Sequence, residues 1–301
     1  MNGLPDFMII GAMKCATSTL HEQLARQAGI FMTTPKEPNF FSDPDAWANG
    51  MDWYRALFAR AGPGDLKGES STHYTMLPTY PDAVPRIGAV VGRDTKFIYV
   101  MRDPVERLVS HWIHDWSEGV VDGSVDAAID ARPELIDYGR YAFQLQPYLD
   151  AFGPTQIMPV FFEHLVDRPQ AELTRICTFL GYRGRPVWHD TYSRTNPSDK
   201  RMRLSPLVAW FMTLPGSEAI RRAFIPEQIR ERVKSRWRIE SRPGLSPRME
   251  ARVHAIFDED LATLGRWLAL DLTSANFKDV AKGVMPTWSP EAIETFAGSM
   301  R

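Results

Sequence analysis

The chain has 301 residues, 44% hydrophobic and 24% charged, which suits one large globular domain or two small ones. A formal net charge of −2 gives no global positive field for nucleic acid, and two cysteines, Cys15 and Cys177, are too few for a disulfide scaffold or a zinc site. No run approaches the ~20 apolar residues that span a bilayer, and the opening MNGLPDF lacks the basic segment and apolar core of a signal peptide, so the expected location is a reducing cytoplasm.

Short apolar runs alternate with amphipathic ones. DFMIIGA (6–12) predicts a buried strand ended by glycine, and TSTLHEQLARQ (17–27) the helix after it. LKGES (66–70) and TKFIYVM (95–101) predict two more strands. DPVERLVSHWIHDW (103–116) predicts a helix that Asp103 caps and Pro104 opens. QIMPVFF (156–162) reads as a strand despite Pro159, RPQAELTRICTFLG (168–181) as a helix stopped at Gly181, and residues 246–268 as a long amphipathic helix. No internal repeat or low-complexity tract occurs, and GPG at 62–64 reads as a loop, not a linker. The alternation predicts an α/β fold: a central, mostly parallel sheet flanked by helices, in a single domain over 1–301.

Two stretches suit anions. GAMKCATSTL (11–20) follows the first strand like a phosphate-binding loop, but departs from G-x-x-x-x-G-K-[ST]. Lys14 comes three residues after Gly11, no second glycine precedes it, and Cys15 stands where a magnesium-binding hydroxyl is expected. Thr17, Ser18 and Thr19 follow at a helix start, where unpaired N–H groups and the helix dipole hold phosphate. The missing Lys-[ST] pair argues against bound magnesium. The plainer alternative is a strand–turn–helix with a surface lysine. Arg102 ends another strand, where open α/β sheets bind ligands, and Ser110 lies two helical turns on. Arg102 could fork a phosphate, or merely pair with Asp103 while Ser110 packs.

IIGAMKCATSTL, then KEPNFF (36–41), then YVMRDPVERLVSHW resemble, in this order and spacing, the PAPS-dependent sulfotransferases. The branch most similar contains heparan sulfate sulfotransferases and their bacterial relatives. The resemblance spans roughly residues 5–200 and, more loosely, LSPRMEARVHAIFDEDLATLGRWLALDL. It implies a P-loop-like three-layer fold and transfer of a sulfuryl group from PAPS to a hydroxyl or amine of a carbohydrate, lipid or secondary metabolite, with PAP as product and no metal. By this resemblance Lys14, Cys15, Ala16, Thr17, Ser18 and Thr19 hold the 5′-phosphosulfate, and Arg102 and Ser110 the 3′-phosphate. Lys200 or Arg201, in RTNPSDKRMR (194–203), would close a basic loop over the nucleotide; a solvated loop is the plainer reading.

The same resemblance makes Glu37 the base that takes the acceptor's proton, with Lys14 neutralising charge on the leaving 5′-phosphate. An ordinary ion pair with Lys36 is the alternative for Glu37. His73 is a rival base, because sulfotransferases of small phenols and steroids carry a catalytic histidine after the corresponding strand; it is otherwise a substrate contact or a loop histidine. The related pattern there is E-K-[ST]-P-x-Y. This chain keeps Glu69, Ser71 and Tyr74 but has Ser70 for the lysine and Thr72 for the proline. His111 and His114 read as packing or acceptor-cleft residues. The arginine-rich stretch 221–242 reads as a solvated helix or a face for an anionic acceptor or membrane. Trp112, Trp116, Trp188 and Trp237 would fill the core or stack on sugar rings. Two other classes stay open: a kinase with Asp103 on magnesium, and a nucleotide-binding module without catalysis.

Overall fold

The computed structural model describes residues 3–190 and 242–299. Five strands, β1 (Phe7–Gly11), β2 (Ile30–Met32), β3 (Leu66–Ser70), β4 (Lys96–Met101) and β5 (Ile157–Phe161), form one sheet in the order β2-β3-β1-β4-β5. Every pairing is parallel. All five residues of β1 are buried, as a strand covered on both faces requires. Ile30–Met32 has too few residues to show a period, so β2 was not legible as a strand. Pro159 is tolerated because, among the described residues, β5 pairs only with β4, leaving its missing N–H outside the ladder.

Helices α1 (Thr17–Ala25), α2 (Pro44–Ala48), α3 (Gly50–Ala56), α4 (Ala83–Val90) and α5 (Pro104–Ser117) follow in chain order with the first four strands. Then come α6 (Val125–Ala131), α7 (Glu134–Asp137), α8 (Tyr141–Phe152), α9 (Phe162–Asp167) and α10 (Pro169–Leu180). The C-terminal part contributes α11 (Pro247–Leu268), α12 (Phe277–Gly283) and α13 (Pro290–Ser299). Asp103 caps α5 by accepting from the Glu106 N–H at 2.7 Å, as its position predicts. Ser246 caps α11. Asp260 of α11 reaches across to accept from the Ala142 and Phe143 N–H groups at the start of α8, both at 2.9 Å. That carboxylate ties the C-terminal helix to the sheet domain. No described helix is long and apolar enough to cross a membrane.

The chain leaves β1 for β2 and β3 on one side, then crosses to β4 on the other. β1 and β4 are therefore neighbours whose connections diverge, the switch point where open sheets carry their ligand sites. Gly11 ends β1 there. A Cβ on it would lie 2.1 Å from Thr75 Oγ1 and 2.8 Å from Tyr99 Cε2, so only glycine lets the backbone turn beneath these side chains.

Candidate active site

The loop after Gly11 curls through left-handed backbone at Lys14 (φ 70°) and Ala16 (φ 63°). Helix α1 then starts with no side-chain cap, the arrangement in which first-turn N–H groups serve an anion. Thr17 and Thr19 are buried and Ser18 is half-buried. Lys14 is half-buried, and its charge acts on His111 and Asp115 of α5. The Cys15 side chain turns into the core, 3.7 Å from the Met13 carbonyl and 3.9 Å from the Tyr141 hydroxyl. Burial pushes its thiol up to about 11, so Cys15 offers a ligand only its backbone.

Arg102 leaves β4 beside this loop. Its guanidinium holds Glu106 Oε2 through Nε (3.1 Å) and Nη2 (2.5 Å), and lies 4.7 Å from the Phe162 ring centre. The pairing with Asp103 allowed by the sequence does not form, because Asp103 is taken up as the helix cap. Glu106 Oε1 also accepts from Lys278 of α12 at 2.8 Å. Burial opposes ionisation of Glu106, but Lys278 and Arg102 pull its carboxyl down to about 2. Ser110 is buried on α5. Lys200, Arg201 and Trp237 lie outside the described residues. Of the basic stretch 221–242 only Arg242 is described, and it donates to the Glu106 carbonyl at 2.8 Å.

The loop 33–41 lies over the carboxyl end of β3. Phe40 and Phe41 are fully buried against Tyr54 of α3, with ring centres 4.5 and 5.0 Å away, and each burial stabilises by about 1.5–3 kcal/mol. They pin the loop that carries Glu37. Lys36 Nζ donates to Glu37 Oε1 at 2.9 Å, while the Thr72 N–H and hydroxyl both donate to Oε2 at 2.9 Å. Burial pushes the Glu37 carboxyl up, but Lys36 and the two Thr72 donors outweigh it and hold it below its ordinary value of 4.5. The ion pair with Lys36 thus exists, but in a half-buried setting and not as a loose surface contact.

His73 sits in the 3₁₀ turn Thr72–Thr75 and stacks on Tyr80, ring centres 4.5 Å apart. Burial lowers its pKa, against the opposing charges of Glu37 and Asp43. It is a neutral ring within electrostatic reach of Glu37. His21 of α1 bonds the Ser70 hydroxyl at 2.9 Å, and burial, aided by Lys36, lowers its pKa to about 4.

Residues 4–265 match the family described as Sulfotransferase domain. The chain belongs to that family. It is 33% identical over 187 residues to the mouse heparan sulfate glucosamine 3-O-sulfotransferase 3B1, covering 59% of this chain and 46% of the relative. It is 26% identical over 200 residues to the human bifunctional heparan sulfate N-deacetylase/N-sulfotransferase 2, covering 59% of this chain and 22% of the relative. The chain thus spans about half or less of the curated relatives it matches. A sulfotransferase from Alicyclobacillus acidocaldarius shares the fold, with a TM-score of 0.63 at 23% identity over 89% of this chain and 97% of that one.

Within this sulfotransferase-family chain, Arg107 and Lys278 escaped sequence reading, and Thr72 and Glu69 were noted only as a departure from and a match to the related pattern. Thr72 stands where the related pattern has proline, a residue with no N–H to give; both of its donors go to Glu37. Glu69 is fully buried and accepts from the hydroxyls of Tyr54, Tyr74 and Ser71. Arg107 is fully buried behind the loop that follows Gly11, where its charge acts on Cys15. Its Nη2 donates to the Leu135 carbonyl, while Nε and Nη1 make no hydrogen bond among the described residues. Lys278 could not be placed because it comes from the far end of the chain. Arg107 had a signal: with His111 and Asp115 it falls on one helical stripe, and all three are buried. His111 is buried, stacked on Tyr138 with ring centres 5.6 Å apart. Trp112 and Trp116 stack on each other 6.2 Å apart, which is packing.

Proposed function

We propose that this chain transfers a sulfuryl group from PAPS to an unactivated hydroxyl or amine, releasing PAP. The observation that carries the reading is Glu37, a half-buried carboxylate held by Lys36 and Thr72 at the end of β3, one strand away from the uncapped loop before α1. The 5′-phosphosulfate would lie along residues 14–19, on the N–H groups of α1 and the charges of Lys14 and the buried Arg107. Arg102 and Ser110 would meet the 3′-phosphate, with Lys278 nearby through Glu106. In the transfer the acceptor oxygen forms a bond to sulfur as the bond from sulfur to the bridging oxygen breaks. The departing electron pair stays on the 5′-phosphate, which Lys14 neutralises. The acceptor proton goes to Glu37. Among the described residues its Oε1 accepts from Lys36 alone and keeps a lone pair for the incoming hydroxyl.

Metal-free transfer is part of the proposal, because the position of a magnesium-binding hydroxyl is taken by Cys15 with its thiol turned inward. Cytoplasmic placement is likewise proposed, supported by two buried cysteines that form no disulfide. The name of the mouse relative makes a glucosamine hydroxyl the first acceptor to try. The test has two arms. PAP in EDTA should raise Tm, by about 2.7 kcal/mol of added stability at a hundredfold excess over Kd. ³⁵S-labelled PAPS should label one of four probes: a glucosamine oligosaccharide, a glycolipid, a phenol or an alkylamine. If ATP with magnesium stabilises the chain more than PAP does, the reading is wrong.

A further inference from the structure

We propose that Glu69 is a positioning residue for the reaction, fixing the loop that carries Glu37 through hydroxyls that only its carboxylate form orients correctly. The proposal rests on the reading of Glu37 as base. Glu69 ends β3 with no exposed surface. Its Oε1 accepts from the hydroxyls of Ser71 (3.2 Å) and Tyr74 (2.5 Å), and Oε2 accepts from Tyr54. An ionised carboxylate can only accept, so the hydrogens of all three hydroxyls turn toward it. Their lone pairs are left facing outward. Two of them serve the Glu37 loop: Ser71 Oγ accepts from the Asn39 N–H at 3.0 Å, and the Tyr74 oxygen from the Phe41 N–H at 3.5 Å. Tyr54 holds the same loop by stacking on Phe40. Thr72, which grips Glu37, is the next residue after Ser71. Both walls of the Glu37 site thus hang from one buried carboxylate.

The charge state sets the direction of the chain of hydrogen bonds. A protonated Glu69 carries a donor of its own. If Ser71 or Tyr74 accepts that hydrogen, its own hydrogen loses Glu69 as its acceptor, and in the orientation that faces Asn39 or Phe41 donor meets donor. Such a clash inside a dry core leaves a buried donor unsatisfied and weakens the hold on the loop. Burial raises the Glu69 carboxyl to about 7, against the three hydroxyl donors and with help from the Glu37 charge. The groups facing it are Tyr54 from α3, Tyr74 and Ser71 from the following turn, Glu37 from the loop, and Tyr148 from α8. The three tyrosines are held well above their ordinary values by burial, and Glu37 lies below its own, so Glu69 alone among them changes charge near neutrality. Below that point the Glu37 loop should loosen while the core stays folded.

The test is amide exchange at Asn39 and Phe41, followed by NMR on the full chain from pH 5.5 to 8.5 and corrected for intrinsic rates. In the wild type, protection of both amides should fall about fivefold to tenfold as pH drops through 7, while Ile9 and Val100 stay protected. Glu69→Gln carries a fixed donor and should show the low protection at every pH. Ser71→Ala should lose it at Asn39 and keep it at Phe41. The catalytic consequence is read as PAP release from PAPS with water as acceptor: Glu69→Gln should lower it about tenfold with unchanged PAP affinity, and flatten its pH dependence around 7. Glu37→Gln, measured alongside, should lose turnover yet leave both amides protected. A pH-independent Asn39 in the wild type, or full protection in Glu69→Gln, would overturn the proposal. Full turnover in Glu37→Gln would instead overturn the base assignment and leave the exchange result standing.

Discussion

Thr72 gives Glu37 two hydrogen bonds from one residue, its N–H and its hydroxyl, each 2.9 Å from Oε2. A proline at this position has neither donor. Ser71 before it is extended (φ −144°, ψ 111°), so Thr72→Pro fits the backbone that precedes a proline. The substitution should raise the Glu37 carboxyl, since it removes both hydrogen bonds that favour the charged form. Thr72→Val, which keeps the N–H, should raise it less. The acidic limb of kcat/KM would move up with it. The linked stability follows the same sign. Glu37 is depressed when folded, so its contribution is complete above 4.5 and lost as pH falls through the lower folded value. Carbon-13 carboxyl NMR of labelled glutamate checks this; an unmoved Glu37 in Thr72→Pro would show that Lys36 alone sets it.

Glu37→Gln keeps the shape and loses the proposed base. Turnover should fall by about 10²–10⁴-fold with PAP affinity near wild type. His73→Asn should cost less and act mainly on acceptor KM, because His73 is a neutral ring stacked on Tyr80. The assay needs an unactivated hydroxyl, since an acidic phenol sheds its proton unaided. The reverse ranking of the two variants would move the base to His73.

Arg102→Ala should weaken PAP by more than adenosine 5′-phosphosulfate, because only PAP carries the 3′-phosphate. Calorimetric titration of both ligands separates this from a structural role. Equal losses would mean that the Arg102–Glu106 pair, half-buried and worth little on its own, serves the fold.

Arg107→Met removes a buried charge whose Nε and Nη1 lack partners among the described residues. Replacing such a group by an apolar one of similar volume is often neutral or stabilising. Tm should therefore hold or rise, while PAP affinity drops by about 3- to 10-fold from the lost positive potential behind the loop. A fallen Tm with unchanged PAP affinity would make Arg107 purely structural.

The sequence by itself determined the elements with a clear period and the motifs that sit at their ends. β1, β3 and β4 lie within a residue of their expected spans, and Asp103 caps the helix it precedes. Gly11, Lys14 and Arg102 were legible because a strand end is marked locally, by apolar residues giving way to glycine or charge. Glu37 was legible only through its motif, since a Lys-Glu pair in a loop has no local signature of burial. Tertiary structure alone decided what surrounds that carboxylate. Thr72 and Glu69 lie 35 and 32 positions away from it, and Lys278 lies 172 positions from Glu106. Hydrogen bonds act over about 3 Å of space, whatever the separation along the chain. Only the parallel stacking of β3 beside β1, and the folding of the phenylalanine loop over its end, brings Glu37 and Thr72 together.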